Sequence, residues 1–331
     1  MKSLVNTPKT DRLRRQRGLA LVLVLWVLTL MSLMAAGFLS ETRTEVRAAR
    51  NRAEVAEAEA LADAGIYFAI SRLLQDRTGA VGGTEEPVPV PTDGRILEWT
   101  FGGGKVRLSL RDEMGKVDLN AARPDVLWGL LQAVGVPRAE ARILATRILD
   151  FRDPDDLSRV DGAENAEYIA AGRTYGAKDG AFQSIEEIGQ VLGVDRTLAE
   201  RLRPHITIAS GVPGVAAETA TRSALLALPG VQAAAVDSYL LARAETLPGD
   251  PPPAPPPGPD YVRSTQTRYT ITAEATTESG AVFVREARVS LDRIRADQAY
   301  IIERWSQRMT RLPTQSPDVI AALEAEARRS R

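Results

Sequence analysis

A chain of 331 residues is long enough for one to three domains with a real buried core. Forty-two Lys and Arg against 43 Asp and Glu leave a net charge of −1, which removes any global electrostatic case for a nucleic-acid partner. The absence of cysteine excludes disulfides, thiolate nucleophiles, Cys-ligated zinc and iron–sulfur clusters, and a single histidine, His205, excludes multi-His metal sites.

Residues 19–39 run 21 positions without a charge. As a helix that is about 31 Å, enough to cross a bilayer core of about 30 Å. Six basic residues (Lys2, Lys9, Arg12, Arg14, Arg15, Arg17) and one acid, Asp11, precede it. The basic excess places the short N-terminal tail in the cytoplasm and the bulk of the chain outside. Three readings fit the segment. A secretory signal peptide has a shorter apolar region before its small-residue cleavage site, here Ala35-Ala36-Gly37. A plain membrane anchor is the second. The third starts from Arg17-Gly18-Leu19-Ala20-Leu21, a basic leader ending in Gly directly before the apolar run. That arrangement resembles the leader of type IV prepilins and type II secretion pseudopilins. The resemblance implies a cut after Gly18 by a prepilin peptidase, with Leu19 becoming the methylated first residue.

The segment 41–75 is rich in Ala, Glu, Arg and Leu, has no Pro and has one Gly, at position 65. These are strong helix formers. Val46, Ala49, Ala53, Ala56, Ala60, Ala64 and Phe68 recur at spacings of three or four, which predicts one apolar stripe. One helix from Leu19 to about Gln75 would be roughly 85 Å long. The mature fifth residue would be Leu23, where most pilin-like proteins have Glu. In that family the Glu neutralises the N-terminal ammonium of the subunit ahead, and a subunit with nothing ahead of it has no need of one.

Residues 78–94 read as a loop, and 95–101 with 105–111 as a hairpin, Val106, Leu108 and Leu110 alternating with polar neighbours. A second hairpin is predicted over 268–275 and 281–291. Between them lie helical patterns. The organisation predicted is α+β. A long N-terminal helix (19–75, transmembrane over 19–39) packs on a small antiparallel sheet (76–118 and 262–300), which an inserted α-helical domain (119–247) interrupts. A stiff linker follows over 248–261, with eight prolines in the twelve positions from Pro248 to Pro259. The tail over 301–331 reads as helical and peripheral.

The insert contains a near-repeat: 120–152, 218–243 and, more loosely, 182–208 each resemble a helix-hairpin-helix unit. That raises DNA binding, as in a DNA-uptake apparatus. Such units grip phosphate through backbone N–H groups in a Gly-apolar-Gly turn. Here the turns read Gly135-Val136-Pro137, Gly193-Val194-Asp195 and Gly230-Val231-Gln232. All lack the second glycine, so the units read as packing elements without nucleic acid.

The run 150–168 holds seven carboxylates: Asp150, Asp153, Asp155, Asp156, Asp161, Glu164 and Glu167. So many like charges repel unless water or a cation screens them. Calcium, with six to eight oxygen ligands in flexible geometry, suits such a loop better than magnesium. A solvated acidic loop and a calcium loop both remain open on the residues alone. Asp-Glu-x-Gly-Lys-Val-Asp-Leu-Asn (112–120), the Asp-Pro-Asp-Asp…Gly-Ala-Glu…Tyr run (153–168) and Phe-x-Ser-Ile-Glu-Glu-Ile (182–188) occur in the same order in type II secretion protein K. The chain resembles that family from Arg17 to about Arg295. The resemblance implies a pilin-like minor pseudopilin of the inner membrane, with its bulk periplasmic, capping the pseudopilus tip. It implies assembly with minor pseudopilins resembling proteins I and J and with the major pseudopilin. It also implies structural calcium, for which Asp153, Asp155, Asp156, Asp161, Glu164 and Glu167 are the candidate ligands. A single-pass periplasmic adaptor is the alternative. No G-x-S-x-G, P-loop or dinucleotide fingerprint is present, and the pair Glu186 and Glu187 reads as a solvated face, so no enzyme is expected.

Overall fold

The computed structural model describes residues 11–78, 89–247, 249–265, 267–292 and 298–314. Residues 1–10 of the expected leader, most of the 78–94 loop, and the tail from 315 lie outside the described residues. The chain divides into two units, 1–57 and 58–331. One helix, α1 (Asp11–Thr78), supplies the described part of the first unit and opens the second. Among the described residues it is the one helix long and apolar enough to cross a membrane. From Ala20 to Leu39 its described side chains are exposed all round, as a lipid-facing helix requires. Thr29 donates its hydroxyl to the Leu25 carbonyl at 2.8 Å, so that this hydroxyl is satisfied within the helix.

In the second unit β1 (Asp93–Phe101) and β2 (Gly104–Asp112) form the first hairpin. A two-residue strand, β3 (Val117–Asp118), opens the insert. Then come α2 (Pro124–Ala133), α3 (Arg138–Arg152), α4 (Asn165–Ala170), α5 (Arg196–Leu202), β4 (Ile206–Thr207), α6 (Arg222–Leu226) and α7 (Ala233–Glu245). The sheet resumes with β5 (Arg268–Thr276) and β6 (Val282–Ser290), and closes with β7 (Ile301–Gln307). Its order is β1-β2-β5-β6-β7, antiparallel throughout. The β2–β5 ladder sets Asp112 opposite Tyr269, so the two ends of the insert leave the sheet side by side.

One face of the sheet packs on α1. Val106, Leu108 and Leu110 of β2, Ile271, Ala273 and Ala275 of β5, and Ala287 and Val289 of β6 are buried against Ala58, Leu61, Ala62, Ile66, Ala69, Ile70 and Leu73. The alanines bring helix and sheet close. A Cβ on Gly65 would lie 2.8 Å from Val106 Cγ1 and 3.2 Å from Ala273 Cβ. The buried face differs from the predicted stripe. Ala53, Ala56 and Ala60 are exposed, Ala64 is half-buried and Phe68 is at the rim. Alanine is too small to mark a core face by itself. The branched residues Leu61, Ile66, Ile70 and Leu73 set the orientation, because they bury more apolar area. A second correction concerns the tail: 301–307 is not helical but the edge strand β7, paired with β6 from Arg285↔Gln307 to Ser290↔Ile301. An available sheet edge outweighs the helical propensity of Glu, Arg and Gln.

The insert has its own core, built on Leu127, Leu130, Leu131, Leu144, Ile148, Phe151 and Tyr168. It contains three helix–turn segments around Gly135, Gly193 and Gly230, each with φ between +77° and +94°. There a side chain would be strained. At the first turn Gly135 N–H donates to Gln132 O and Val136 N–H to Leu131 O, both at 2.9 Å. Those amides close the helix end and are not directed outward. Residues 249–260 have no regular structure, and Tyr261 bridges to Val215.

Candidate functional site

The acidic run is built around a buried carboxylate. Asp150 lies in the last turn of α3 and is completely buried. Arg159 doubles back over it, with Nη1 2.6 Å from Oδ1, and the backbone N–H groups of Arg159 and Ala163 donate to Oδ2 at 3.2 and 2.9 Å. The same guanidinium pairs with Asp153. These two carboxylates hold the Arg159 pKa above its ordinary value through side-chain hydrogen bonds. The turn that makes this possible needs Gly162, where a Cβ would sit 1.8 Å from Asp150 Oδ2, and Asp161, which adopts φ 64°. Asp150 and Arg159 are thus the organising pair of the loop, which runs as irregular chain only from Asp153 to Glu164.

The remaining carboxylates divide by partner. Asp155 accepts the Leu157 N–H at 3.1 Å, Asp156 accepts Asn165 Nδ2 at 3.2 Å, and Glu167 accepts the Glu164 N–H at 2.9 Å at the start of α4. Asp161 is exposed. Glu164 is different. It is 2% exposed and faces the Glu167 N–H across the capping box of α4, but neither side-chain oxygen completes a hydrogen bond; Asp153 Oδ1 is likewise buried and without one. Burial, followed by the negative charges of Asp150, Asp153, Asp179 and Asp156, pushes the Glu164 carboxyl up to about 7. Buried polar groups are nearly always satisfied, and two orphaned oxygens facing further carboxylates lack a positive charge.

Among the described residues no three acidic side chains already converge as a cation cage. The donor set nevertheless suits a hard cation in its chemistry, because it is all oxygen, carries an excess of negative charge, and includes buried unsatisfied oxygens on Glu164 and Asp153. Of the six sequence candidates, Asp153 and Asp156 lie near enough to Glu164 for their charges to raise its pKa, without the three converging on one point. Asp155, Asp161 and Glu167 are turned toward backbone or solvent. Asp179, with φ 53°, joins from outside the run. Its signal in the sequence is only the Asp179-Gly180 turn pair. Asn165 brings that segment close: its Oδ1 would lie 1.6 Å from a Cβ on Gly176. α4 is anchored beneath by Tyr168, fully buried, whose hydroxyl accepts the Leu192 N–H at 3.0 Å. Burial raises its pKa to about 12.

The conspicuous acids of 112–120 are structural. Asp112 accepts the Met114 N–H at 2.9 Å, and Glu113 takes Lys116 Nζ and the Thr207 hydroxyl at 2.5 Å each. Asp118 accepts the N–H groups of Asn120 at 2.8 Å and Gly211 at 2.8 Å, and Asn120 clamps both backbone groups of Phe182. His205 contacts the Thr221 hydroxyl through Nδ1 at 2.9 Å, beside the start of α6. Gly18 and Leu19 fall within α1, where their side chains lie outside the described residues.

Residues 108–211 match the family described as Type II secretion system (T2SS), protein K. The type II secretion system protein K of Pseudomonas aeruginosa is 26% identical over 208 residues, covering 59% of this chain and 62% of that protein. Its counterpart in Klebsiella pneumoniae is 24% identical over 205 residues, covering 58% and 62%. The chain therefore spans 62% of the length of the curated relatives it matches. A chain solved in the GspK-GspI-GspJ complex of the enterotoxigenic Escherichia coli type 2 secretion system is 17% identical, with a TM-score of 0.49. That match covers 82% of this chain and 100% of the solved one.

Proposed function

We propose that this chain, whose residues 108–211 match the protein K family of type II secretion systems, is a minor pseudopilin that caps the pseudopilus tip and helps seed its assembly. The observation that carries the reading is that family match on a chain whose α1 bears both an apolar stretch of membrane-crossing length and the face that covers a β-sheet. The bulky insert between β2 and β5 supports the tip position, because a subunit widened in this way does not fit inside a tightly stacked helical filament. Its partners on this reading are minor pseudopilins resembling proteins I and J, together with the major pseudopilin.

The rest of the reading follows from the N-terminus. A prepilin peptidase cuts after Gly18 and Leu19 is methylated. The helix stays in the inner membrane, with the bulk of the chain periplasmic. Leu23, in place of the usual Glu, suits a subunit with nothing ahead of it. The insert acts through packing rather than by gripping nucleic acid, and the chain performs no catalysis. Calcium belongs to the 150–168 loop: Glu164, Asp153 and Asp156, with Asp179 beside them, would hold it, and its charge would satisfy the orphaned oxygens and screen the loop's repulsion.

The test is the intact mass of the chain co-expressed with a prepilin peptidase in a bacterial inner membrane. Loss of residues 1–18 plus one methyl group is the expected result. An uncut chain, or a cut near Ala36, refutes the pseudopilin reading.

A further inference from the structure

The sheet has a second face. Ser109 and Arg111 of β2, Thr270 and Thr272 of β5, and Glu286 and Arg288 of β6 alternate with the residues that pack on α1 and so point away from it. Over this face lie Ile185, Arg203 and Pro204 of the insert. Beyond β7 the chain crosses it: Arg308 N–H donates to Val284 O at 3.0 Å, and Leu312 N–H to Glu274 at 2.6 Å. A cleft of about 330 Å³ remains between sheet, insert and crossing segment.

Seven basic side chains line this cleft against one acidic residue, Glu286. Part of the excess is neutralised by fixed pairs. Lys116 is held by buried Glu113 at 2.5 Å, Arg304 and Arg203 share Glu186 at 2.6 and 3.0 Å, and Arg308 takes Glu286 at 3.2 Å. Three carboxylates therefore answer four of the cations. Arg288 makes no ion pair among the described residues, and its Nε is buried with no hydrogen-bond partner. Exposed Arg311 also makes no ion pair among the described residues. Arg288 feels the charge of buried Glu113, which Lys116 already pairs, so a chain of net charge −1 has gathered an excess of cations over carboxylates at one concave place.

We propose that this cleft is a docking site for an extended acidic segment of a partner polypeptide. Guanidinium groups pair with carboxylates, and in the cleft Arg304, Arg203 and Arg308 already do so through one nitrogen each. Neutral hydrogen-bonding groups (Ser109, Thr272, Ser306 and Gln307) are interleaved with the cations and suit a peptide main chain. No aromatic ring lines the cleft among the described residues, so it offers no platform for stacked bases. Arg288 and Arg311 take the partner's carboxylates.

The test uses the full chain in non-ionic detergent and the fluorescence anisotropy of a labelled hexaglutamate peptide, with hexaserine as its control. The expected result is binding of hexaglutamate alone, weakened by added salt and weakened about tenfold or more in R311E and R288Q. Arg311 is exposed, so its variant folds; thermal melts confirm folding for R288Q. In R196E, altered at a fully solvated arginine of α5 outside the cleft, affinity stays within about twofold of the unaltered chain. No binding at low salt, equal loss in R196E, or binding of a short oligonucleotide or inorganic phosphate without hexaglutamate overturns the proposal.

Discussion

Replacing Glu164 by Gln should stabilise the cation-free protein at alkaline pH. The carboxyl titrates near 7 in the folded chain against an ordinary 4.5, so between these values the folded state holds more protons than the unfolded one. Stability from this group is therefore full below about 4.5 and is lost as the pH rises through about 7. A displacement of about 2.5 units at about 1.36 kcal/mol each makes the ionised form cost about 3 kcal/mol at pH 8. Glutamine removes that cost, because it carries no charge to bury among the neighbouring carboxylates. For a unit of this size the gain is about 6–12 °C in Tm at pH 8 in chelator, read by differential scanning fluorimetry. At pH 5 the wild-type carboxyl is largely protonated and the difference should fall to about 1 kcal/mol. With calcium in excess the order closes or reverses, because only the wild type gains the ion's binding energy. A Glu164→Gln protein no more stable than wild type in chelator at pH 8, or a difference independent of pH, would refute the account of the loop.

Arg159→Ala leaves buried Asp150 with backbone donors alone and should cost about 2 kcal/mol, measured by urea unfolding. Gly65→Val should destabilise the helix–sheet contact by about 1–3 kcal/mol in the same assay, since a Cβ there meets Val106 and Ala273 before any larger group is added. Substituting Gly18 by Glu should leave the chain uncut when it is co-expressed with a prepilin peptidase, as read by intact mass.

The parts of the fold legible in the sequence are those fixed by local pattern. The Val106-Leu108-Leu110 alternation marks a strand wherever it packs, and both hairpins appear where that pattern puts them. β7 was not legible, because Ile301–Gln307 becomes a strand only through the β6 edge beside it. The orientation of α1 was hidden by alanines on every side, and only the sheet selects the face carrying Ile66 and Ile70. In the acidic run, composition shows an excess of charge but not its division. Asp150 is neutralised because Arg159 folds back nine residues later, and Glu164 is left unpaired among charges that include Asp179, supplied from beyond α4. Such roles depend on chain reversal and therefore have no signature in spacing.

The central claim is that this chain sits at one end of a pseudopilus. Gold labelling of an epitope in the insert, on sheared pseudopili viewed by electron microscopy, tests it most directly. The account predicts label at a single end of each filament. Label spaced along the filament, or none on filaments that still assemble when the chain is deleted, would contradict it.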